Sequence, residues 1–153
     1  MTYAVVDTPV GSLTLVERAG ALTGLYFPEH RHQPAIEGPR DDAVLPAVRE
    51  QLVAYFAGDL REFDLPLDVG GTPFQQQVWK ALATIPYGET WSYRDLAEAL
   101  GNPKAVRAVG LAIGRNPVSI VVPCHRVVGA DGSLTGYGGG LDAKRWLLAH
   151  EAG

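Results

Sequence analysis

Residues 91–113 read WSYRDLAEALGNPKAVRAVGLAI and contain the clearest structural pattern in the second half of the chain. Ser92 is a helix-capping residue type, so it predicts the start of a helix that ends before Gly101. Asn102 predicts a second cap, because Pro103 behind it suits the first position of a helix. Two short helices joined by a Gly-Asn-Pro turn match the helix-turn-helix pattern.

The second of these helices, predicted over residues 103–113, is expected to have two unlike faces. The face suited to the core carries Val106, Val109 and Ile113. The outer face carries small residues flanked by basic ones, namely Ala105, Ala108 and Ala112 with Lys104, Arg107 and Arg115. Small outer residues allow a close approach to a partner, and basic neighbours suit a phosphate-lined groove. The alternative is an alanine-rich helix packed on both sides within the core.

Two more helices are predicted outside this pair. Thr72 can cap a helix with Pro73 at its first position, and the Pro-Tyr-Gly turn at residues 86–88 is expected to end it. A last helix is predicted over about residues 142–150, with Leu147 toward the core.

The first half of the chain predicts a small α/β unit. Three strand-like stretches within residues 3–27 are separated by Gly and Pro turns, which is typical of an antiparallel meander. A helix is predicted over residues 44–56, with Gly58 as its stop. We therefore expect an α/β N-terminal domain with a small antiparallel sheet over residues 1–70. A mainly α, winged-helix-like C-terminal domain containing the helix-turn-helix is expected over residues 71–153.

Composition restricts the class of protein. Of the 153 residues 46% are hydrophobic and 20% are charged, which is ordinary for a globular domain. No apolar run approaches the roughly 20 residues of a membrane span, and the N-terminus lacks the basic and apolar regions of a secretory signal. With one cysteine in the chain, we expect a cytoplasmic protein that does not act at a membrane.

Charge is distributed unevenly along the chain. The net charge of −4 argues against indiscriminate binding to nucleic acid. Acidic residues outnumber basic ones over residues 1–70, whereas residues 80–130 contain six basic and three acidic residues. The second half could therefore face a phosphate backbone, although two ordinary solvated surfaces would give the same count.

The single cysteine, Cys124, follows the apolar run at residues 119–122 and precedes His125. It cannot form an internal disulfide, so it is either a buried small hydrophobe or a reactive nucleophile. A thiol needs a base or a positive environment to become a thiolate at neutral pH. Because neighbours on an extended strand point to opposite faces, His125 could act on Cys124 only through a local bend or a bridging water.

Residues 116–128, NPVSIVVPCHRVV, resemble the active-site signature of the O6-alkylguanine-DNA alkyltransferases. The resemblance is specific over about residues 72–151 and weak before them. It implies that Cys124 takes the alkyl group permanently from damaged guanine. It also implies that His125 is the base through a water and that Glu151 is its partner.

Further site residues are implied by the same resemblance. Asn116 matches the asparagine that steadies the active-site turn, and Tyr93 matches a tyrosine that donates a hydrogen bond or proton to the purine. Tyr137 matches a tyrosine of the pocket wall. Main-chain groups near Val127 and Gly138 are expected to read the guanine edge. The pocket is expected to be completed by Ser119 and Ile113.

The target base lies inside a duplex and must be extruded before it can react. In the family the helix-turn-helix enters the minor groove, and Arg107 occupies the position of the arginine that fills the gap. The remaining DNA contacts are expected from residues around it, namely Lys104, Ala105, Ala108, Arg115, Ser92 and Arg94. The expected partner is double-stranded DNA containing O6-alkylguanine, bound by a monomer.

Departures from the family pattern affect two expectations. Ser119 stands where some members have proline, and Gly138 where some have serine, so the width of the pocket and the size of alkyl group accepted stay open. Some relatives bind zinc through N-terminal Cys and His residues. Here His30 and His32 have no cysteine near them, so neither a metal nor a cofactor is expected.

Two other classes of protein remain as alternatives. A DNA-binding module would use the helix-turn-helix without needing Cys124, whereas a thiol hydrolase would use a Cys-His pair with repeated turnover. The sequence leaves open activity on O4-alkylthymine, cooperativity along DNA, the packing of the two halves and a separate role for the N-terminal half.

Overall fold

The computed structural model describes residues 1–28 and 33–153, and its first element is a three-stranded antiparallel sheet. The strands are β1 (Thr2–Thr8), β2 (Gly11–Arg18) and β3 (Ala21–Tyr26), in the order β1-β2-β3. Ala19 and Gly20 both have positive φ angles, the combination that a two-residue hairpin turn requires. The predicted meander is confirmed.

Helix α1 (Pro46–Phe56) contacts β1 of the sheet and follows the predicted span closely. It begins two residues later than predicted, because Leu45 adopts a left-handed conformation with φ 55° and Pro46 takes the first helical position. The helix buries Val48, Leu52 and Tyr55. Leu52 and Tyr55 are fully buried, so the helix contributes both apolar area and one phenol to the interior.

Helix α2 (Pro73–Leu82) begins as predicted and ends earlier than predicted. Thr72 and Gln75 form a capping box, in which each side chain accepts a hydrogen bond from the other's backbone amide. The helix ends at Leu82 rather than at the Pro-Tyr-Gly turn, because Thr84 Oγ1 donates to the carbonyl of Ala81 and closes the last turn.

The helix-turn-helix is formed by α3 (Tyr93–Ala99) and α4 (Val106–Gly114). Ser92 caps α3 through a capping box with Asp95, as its residue type predicts. The predicted cap at Asn102 is wrong. The carbonyl of Asn102 accepts from the amide of Ala105 at 3.0 Å, which makes residues 102–105 a turn. Proline suits the second position of a turn as well as the first position of a helix, and the sequence could not separate the two.

The predicted faces of this second helix are partly wrong. Its buried residues are Val109, Ala112 and Ile113. Val106 is 37% exposed because it lies in the first turn. Ala112 is turned inward, where its carbonyl accepts from Trp79 Nε1 at 2.8 Å, so of the predicted outer alanines only Ala108 is fully outward.

A short strand pair connects the helix-turn-helix to the cysteine segment. Strand β4 (Trp91–Ser92) pairs in parallel with β5 (Val127–Val128), which follows the 3-10 turn Cys124–Arg126. Helix α5 (Leu141–Ala152) closes the structure and buries Lys144, Leu147 and Glu151. None of the helices within residues 1–28 and 33–153 is long and apolar enough to cross a membrane.

The two halves of the chain share one apolar core. Leu25 of β3 donates its amide to the carbonyl of Pro117 at 2.8 Å and forms a bridge with Val118. Phe27 packs edge-on against Tyr137 with ring centroids 5.6 Å apart. The expected fold class, a small antiparallel sheet with a helix followed by a mainly α unit with a helix-turn-helix, is confirmed.

Candidate active site

Cys124 lies at the start of the 3-10 turn and is 5% exposed. Tight hydrogen bonds fold the chain before it: the amide of Val121 donates to the carbonyl of Ser119 at 2.9 Å, and that of Cys124 to Val122 at 2.8 Å. Ile120, between Ser119 and Val121, has a φ of 73°, which is unfavourable for a β-branched residue. The bend brings the thiol to 4.0 Å from Ser119 Oγ.

Asn116 ties this bent segment together through both ends of its amide. Its Nδ2 donates to the carbonyl of Val122 at 2.9 Å, and its Oδ1 accepts from the amide of Val118 at 3.1 Å. Asn116 is 4% exposed, so neither bond can be replaced by bulk water. The side chain therefore fixes the loop that carries Cys124.

A cavity of about 500 Å³ opens in front of the thiol. Its walls bring together residues from four separate segments, among them Tyr93, Ile113, Ser119, Cys124, Tyr137 and Gly138. This volume lies in the range of small-molecule sites, roughly 300–1,000 Å³. Val127 is fully buried and is not part of the cavity lining.

The two tyrosines of the cavity differ in the hydrogen bonding of their hydroxyl groups. The hydroxyl of Tyr93 is hydrogen-bonded to Thr135 Oγ1. The hydroxyl of Tyr137 is buried and has no hydrogen-bond partner among the described residues. A Cβ at Gly139 would come within 2.3 Å of the Phe27 ring, so only glycine allows the chain beside Tyr137 to pack on the sheet.

Behind Cys124, His125 and Glu151 form a buried pair. His125 Nε2 lies 2.8 Å from Glu151 Oε2, and the two side chains are 0% and 1% exposed. Because an ionised carboxylate only accepts, Nε2 carries the proton and Nδ1 keeps its lone pair. Nδ1 is buried and has no hydrogen-bond partner among the described residues, so it is the nitrogen available as a base.

Two partners of Glu151 were missed in the sequence. Arg126 Nε donates to Glu151 Oε1 at 2.7 Å, and the hydroxyl of Tyr55 donates to Oε2 at 2.7 Å. Arg126 lies inside the signature segment, where it was counted only as a basic residue. Tyr55 lies on α1 in the other half, and only its apolar periodicity was noticed.

These contacts determine how the buried groups ionise. Burial opposes the ionised form of Glu151, but hydrogen bonds from His125, Arg126 and Tyr55 outweigh it and lower the pKa of this carboxyl to about 2. Burial lowers the pKa of His125 and raises the pKa of the Cys124 thiol. The resting pair is therefore a neutral imidazole and a protonated thiol, so removal of the thiol proton must accompany the chemistry.

Lys144 is a further buried group that the sequence did not suggest. Its amine donates to the carbonyl of Val127 at 2.6 Å and to that of Thr135 at 3.4 Å, and the residue is 1% exposed. Burial lowers the pKa of Lys144, and its charge favours the thiolate form of Cys124.

The residues expected to contact DNA lie on the exposed side of α3 and α4. The exposed residues of this set are Lys104, Arg107, Ala108, Arg115 and Arg94, whereas Ala105 and Ser92 are half-buried. Arg94 pairs with Glu98 at 3.1 Å. Leu111, one turn after Arg107, is 71% exposed at the rim of the cavity, and the sequence had not singled it out.

His30 and His32 lie outside the described residues. Within residues 1–28 and 33–153 no group of three or more His, Cys, Asp or Glu side chains is arranged to hold a metal ion.

Two family models match the chain. The model of the 6-O-methylguanine DNA methyltransferase ribonuclease-like domain matches residues 1–69. The model of the 6-O-methylguanine DNA methyltransferase DNA binding domain matches residues 73–153. Together they span nearly the whole sequence.

Named relatives and solved structures are similar over the full length. The methylated-DNA–protein-cysteine methyltransferase of Mycolicibacterium paratuberculosis is 58% identical over 97% of this chain and 91% of its own. That of Methanosarcina acetivorans is 49% identical over 99% and 98%. The crystal structure of Mycobacterium tuberculosis OGT in complex with DNA is 53% identical, with a TM-score of 0.95 over 99% of this chain and 93% of that one.

Proposed function

The chain belongs to the 6-O-methylguanine DNA methyltransferase family, and from this membership we propose that Cys124 is its alkyl acceptor. The protein repairs DNA by direct reversal, moving the alkyl group of O6-alkylguanine onto a cysteine of its own. Cys124 is the only cysteine in the chain. The observation that carries the assignment is the cavity of about 500 Å³ in front of this thiol, with His125 and Glu151 behind it.

The reaction is a displacement at the alkyl carbon. His125 Nδ1 takes the thiol proton through a bridging water, and the Glu151 carboxylate stabilises the imidazolium that forms. The sulfur of Cys124 forms a bond to the alkyl carbon, while the bond from that carbon to O6 breaks and its electron pair stays with the purine. The Tyr93 hydroxyl donates a proton to the departing purine, which leaves neutral guanine. The imidazolium of His125 returns a proton to Tyr93. The thioether has no route back to a thiol, so each molecule reacts once.

Asn116 and Lys144 act on the position and charge of the nucleophile. Asn116 fixes the bend that aims the sulfur into the cavity. The positive charge of Lys144 lowers the cost of forming the thiolate.

The extruded guanine would lie between Tyr93 and Tyr137, with Ser119 and Ile113 beside the alkyl group. Main-chain groups at Gly138 would read the guanine edge, whereas Val127 lies outside the cavity lining and its carbonyl already accepts from Lys144. The free hydroxyl of Tyr137 is a further polar group available to the base, since it has no partner among the described residues.

The helix-turn-helix would lie in the minor groove, with Arg107 replacing the extruded base in the stack. Lys104 and Arg115, which flank the recognition helix α4, would contact phosphates, as would Arg94 of α3. The small side chains of Ala105 and Ala108 would allow α4 to approach the DNA closely. Ser92, the N-cap of α3, would place the start of that helix against the DNA.

Three broader features belong to the same proposal. The boundary between an N-terminal and a DNA-binding domain lies at residues 70–71. The protein acts as a monomer, because all the proposed catalytic groups come from one chain. It acts in the cytoplasm, where reducing conditions keep the Cys124 thiol available.

Intact-protein mass after incubation with a duplex holding one O6-methylguanine tests the assignment. We expect a gain of one methyl group per molecule, mapped to Cys124 by peptide analysis. Cys124→Ala should take up no methyl group and should still bind the damaged duplex. Binding without any gain by the wild-type protein would favour a DNA-binding module, and repeated turnover of a thioester would favour a hydrolase.

A further inference from the structure

We propose that Tyr55, on α1 in the N-terminal half, is a positioning residue of the catalytic relay that holds the Glu151 carboxylate and sets the basicity of His125. This inference rests on the proposed role of His125 as the base. It assigns the N-terminal half a part in positioning the catalytic groups, although none of its described residues lines the cavity in front of the thiol.

The two carboxylate oxygens of Glu151 accept different numbers of hydrogen bonds. Oε1 accepts one bond, from Arg126 Nε at 2.7 Å. Oε2 accepts three, from Arg126 Nη2 at 3.0 Å, His125 Nε2 at 2.8 Å and the Tyr55 hydroxyl at 2.7 Å. His125 and Tyr55 therefore share the same oxygen, and any change in one bond alters the charge available to the other.

Ring packing and a backbone hydrogen bond fix the position of Tyr55. Its ring is fully buried, with the Phe63 and His150 rings at centroid distances of 5.3 Å and 5.2 Å. Its own carbonyl lies 2.6 Å from His150 Nε2 of α5, the helix that carries Glu151. The phenol and the carboxylate are thus fixed on two elements that are themselves hydrogen-bonded together.

Tyr55 can only donate in this contact. Burial and the neighbouring carboxylate raise the pKa of Tyr55, so the phenol stays protonated throughout the working pH range. A neutral donor on Oε2 draws electron density away from His125 and lowers the ability of the carboxylate to stabilise the imidazolium. Removing the hydroxyl should therefore raise the pKa of His125.

The other charged and titratable groups around the pair do not duplicate this role. Arg126 and Lys144 both act on His125 by charge and oppose its protonation. Cys124 precedes His125 in the turn, Tyr87 packs 6.4 Å from the Tyr55 ring, and His150 contacts the Tyr55 carbonyl. Among the described residues only His125, Arg126 and Tyr55 donate to the Glu151 carboxylate.

Tyr55→Phe is the matched test, because it removes the hydroxyl and keeps the ring. Single-turnover methyl transfer from an O6-methylguanine duplex should be measured between pH 5 and pH 9. The acid limb of the rate profile should move upward by about 0.5–1 pH unit, the range expected when one charge-assisted hydrogen bond is lost. An unshifted profile would overturn the inference, whatever the variant does to thermal stability.

Two further variants separate positioning from loosened packing. Tyr87→Phe removes a neighbouring hydroxyl that is not bonded to Glu151, and it should leave the profile where it is. In a Glu151→Gln background, Tyr55→Phe should no longer move the acid limb, because the carboxylate through which it acts has been removed. If Tyr87→Phe moved the acid limb by the same amount, or if the effect of Tyr55→Phe persisted with Glu151→Gln, Tyr55 would not act on His125 through the Glu151 carboxylate.

A measurement on the wild-type protein covers the case in which Tyr55→Phe does not fold. NMR with labelled tyrosine should show a slowly exchanging hydroxyl proton on Tyr55, because the bond to Glu151 is buried. A rapidly exchanging hydroxyl would overturn the inference. Failure of the proposed function is distinguishable, since wild-type protein would then gain no methyl group on Cys124 at any pH.

Discussion

Arg126 holds Glu151 by both carboxylate oxygens, with Nε 2.7 Å from Oε1 and Nη2 3.0 Å from Oε2. Its third nitrogen, Nη1, donates to the carbonyl of Ile85 at 2.7 Å. The guanidinium therefore anchors the last helix, which carries Glu151, to the loop after α2. The two side chains are 8% and 1% exposed, so the pair is shielded from water.

Arg126→Met should destabilise the protein strongly, because it leaves the Glu151 charge buried with fewer partners. Removing one partner of a buried pair costs about 3–5 kcal/mol, measured here as the free energy of unfolding in urea. Arg145→Met is the control: its ion pair with Asp142 is exposed and should contribute less than about 1 kcal/mol. Equal losses in the two variants would contradict a structural role for the buried pair.

Acid unfolding should move to higher pH in Arg126→Met. The pKa of Glu151 in the folded protein is lowered to about 2 from the ordinary value of 4.5. A lowered carboxyl pKa stabilises the fold above the ordinary value, and that stabilisation is lost as the pH falls from 4.5 toward 2. Without Arg126 the folded pKa rises, so less of this stabilisation remains to be lost within the window. The stability of Arg126→Met should therefore fall less steeply than that of the wild type below pH 4.5. Because the variant is less stable at neutral pH, circular dichroism against pH should still show it unfolding at a higher pH.

The rate of methyl transfer should stay constant as the pH falls to 6.5, the usual histidine pKa. Burial lowers the pKa of His125 from its ordinary value of 6.5, and the base must be neutral to accept the thiol proton. The single-turnover rate should therefore stay level as the pH falls from 8 to 6.5 and decline only at lower pH. A midpoint at or above pH 6.5 would show that Glu151 stabilises the imidazolium more than burial destabilises it.

Asn116→Ala should reduce both stability and reactivity. It leaves the Val118 amide buried without a partner, at about 1–3 kcal/mol, and leaves the Val122 carbonyl with the Cys124 amide as its remaining donor. The bend that positions Cys124 then relaxes, so the reaction with free O6-benzylguanine should slow as well. Asn102→Ala, in the exposed turn before α4, should leave that reaction unchanged. Full reactivity in Asn116→Ala would remove the side chain from its proposed role.

Lys144→Met should make the Cys124 thiol less reactive. The buried amine is a positive charge that lowers the cost of the thiolate, so its removal raises the thiol pKa further. Labelling by iodoacetamide at pH 8 should slow by about tenfold for each unit by which the pKa rises. Lys80→Met, at an exposed lysine of α2, is the control and should label at the wild-type rate.

Arg107→Ala should slow repair of duplex DNA more than reaction with free O6-benzylguanine. Only the duplex requires a base to be extruded, and unstacking costs a few kcal/mol, which corresponds to a difference on the order of tenfold or more. Arg18→Ala removes an exposed arginine of the sheet and should affect neither rate. Equal slowing on both substrates would exclude Arg107 from extrusion.

Local sequence signals predicted the elements that depend on local physics. The three strands, the Thr72 cap and the Ser92 cap all appear where turn and capping residue types placed them. The start of α4 failed because Asn-Pro is compatible with both a turn and a helix cap, and the bond from Ala105 decided in favour of the turn. Capping chemistry is local, whereas the choice between two locally allowed states depends on packing.

The buried network was only partly visible in the sequence. His125 and Glu151 were identified by resemblance, but the pattern gave no sign that Arg126 and Tyr55 meet at the same carboxylate. Tyr55 lies 96 positions from Glu151 along the chain, and a buried tyrosine at helical spacing looks like any other core residue. Lys144 was missed because a lysine on a helix is normally solvated.

The strands, the Thr72 and Ser92 caps, the helix-turn-helix and the single thiol within its signature follow from residues close together in the chain, so they could be predicted locally. Which polar groups meet in the interior depends on how the chain packs. Burying the Glu151 charge requires donors from every direction, and these come from the 3-10 turn at Cys124–Arg126 and from α1 in the other half. Such long-range contacts follow from how the halves pack, because a buried charge is tolerated only where the whole fold supplies its partners.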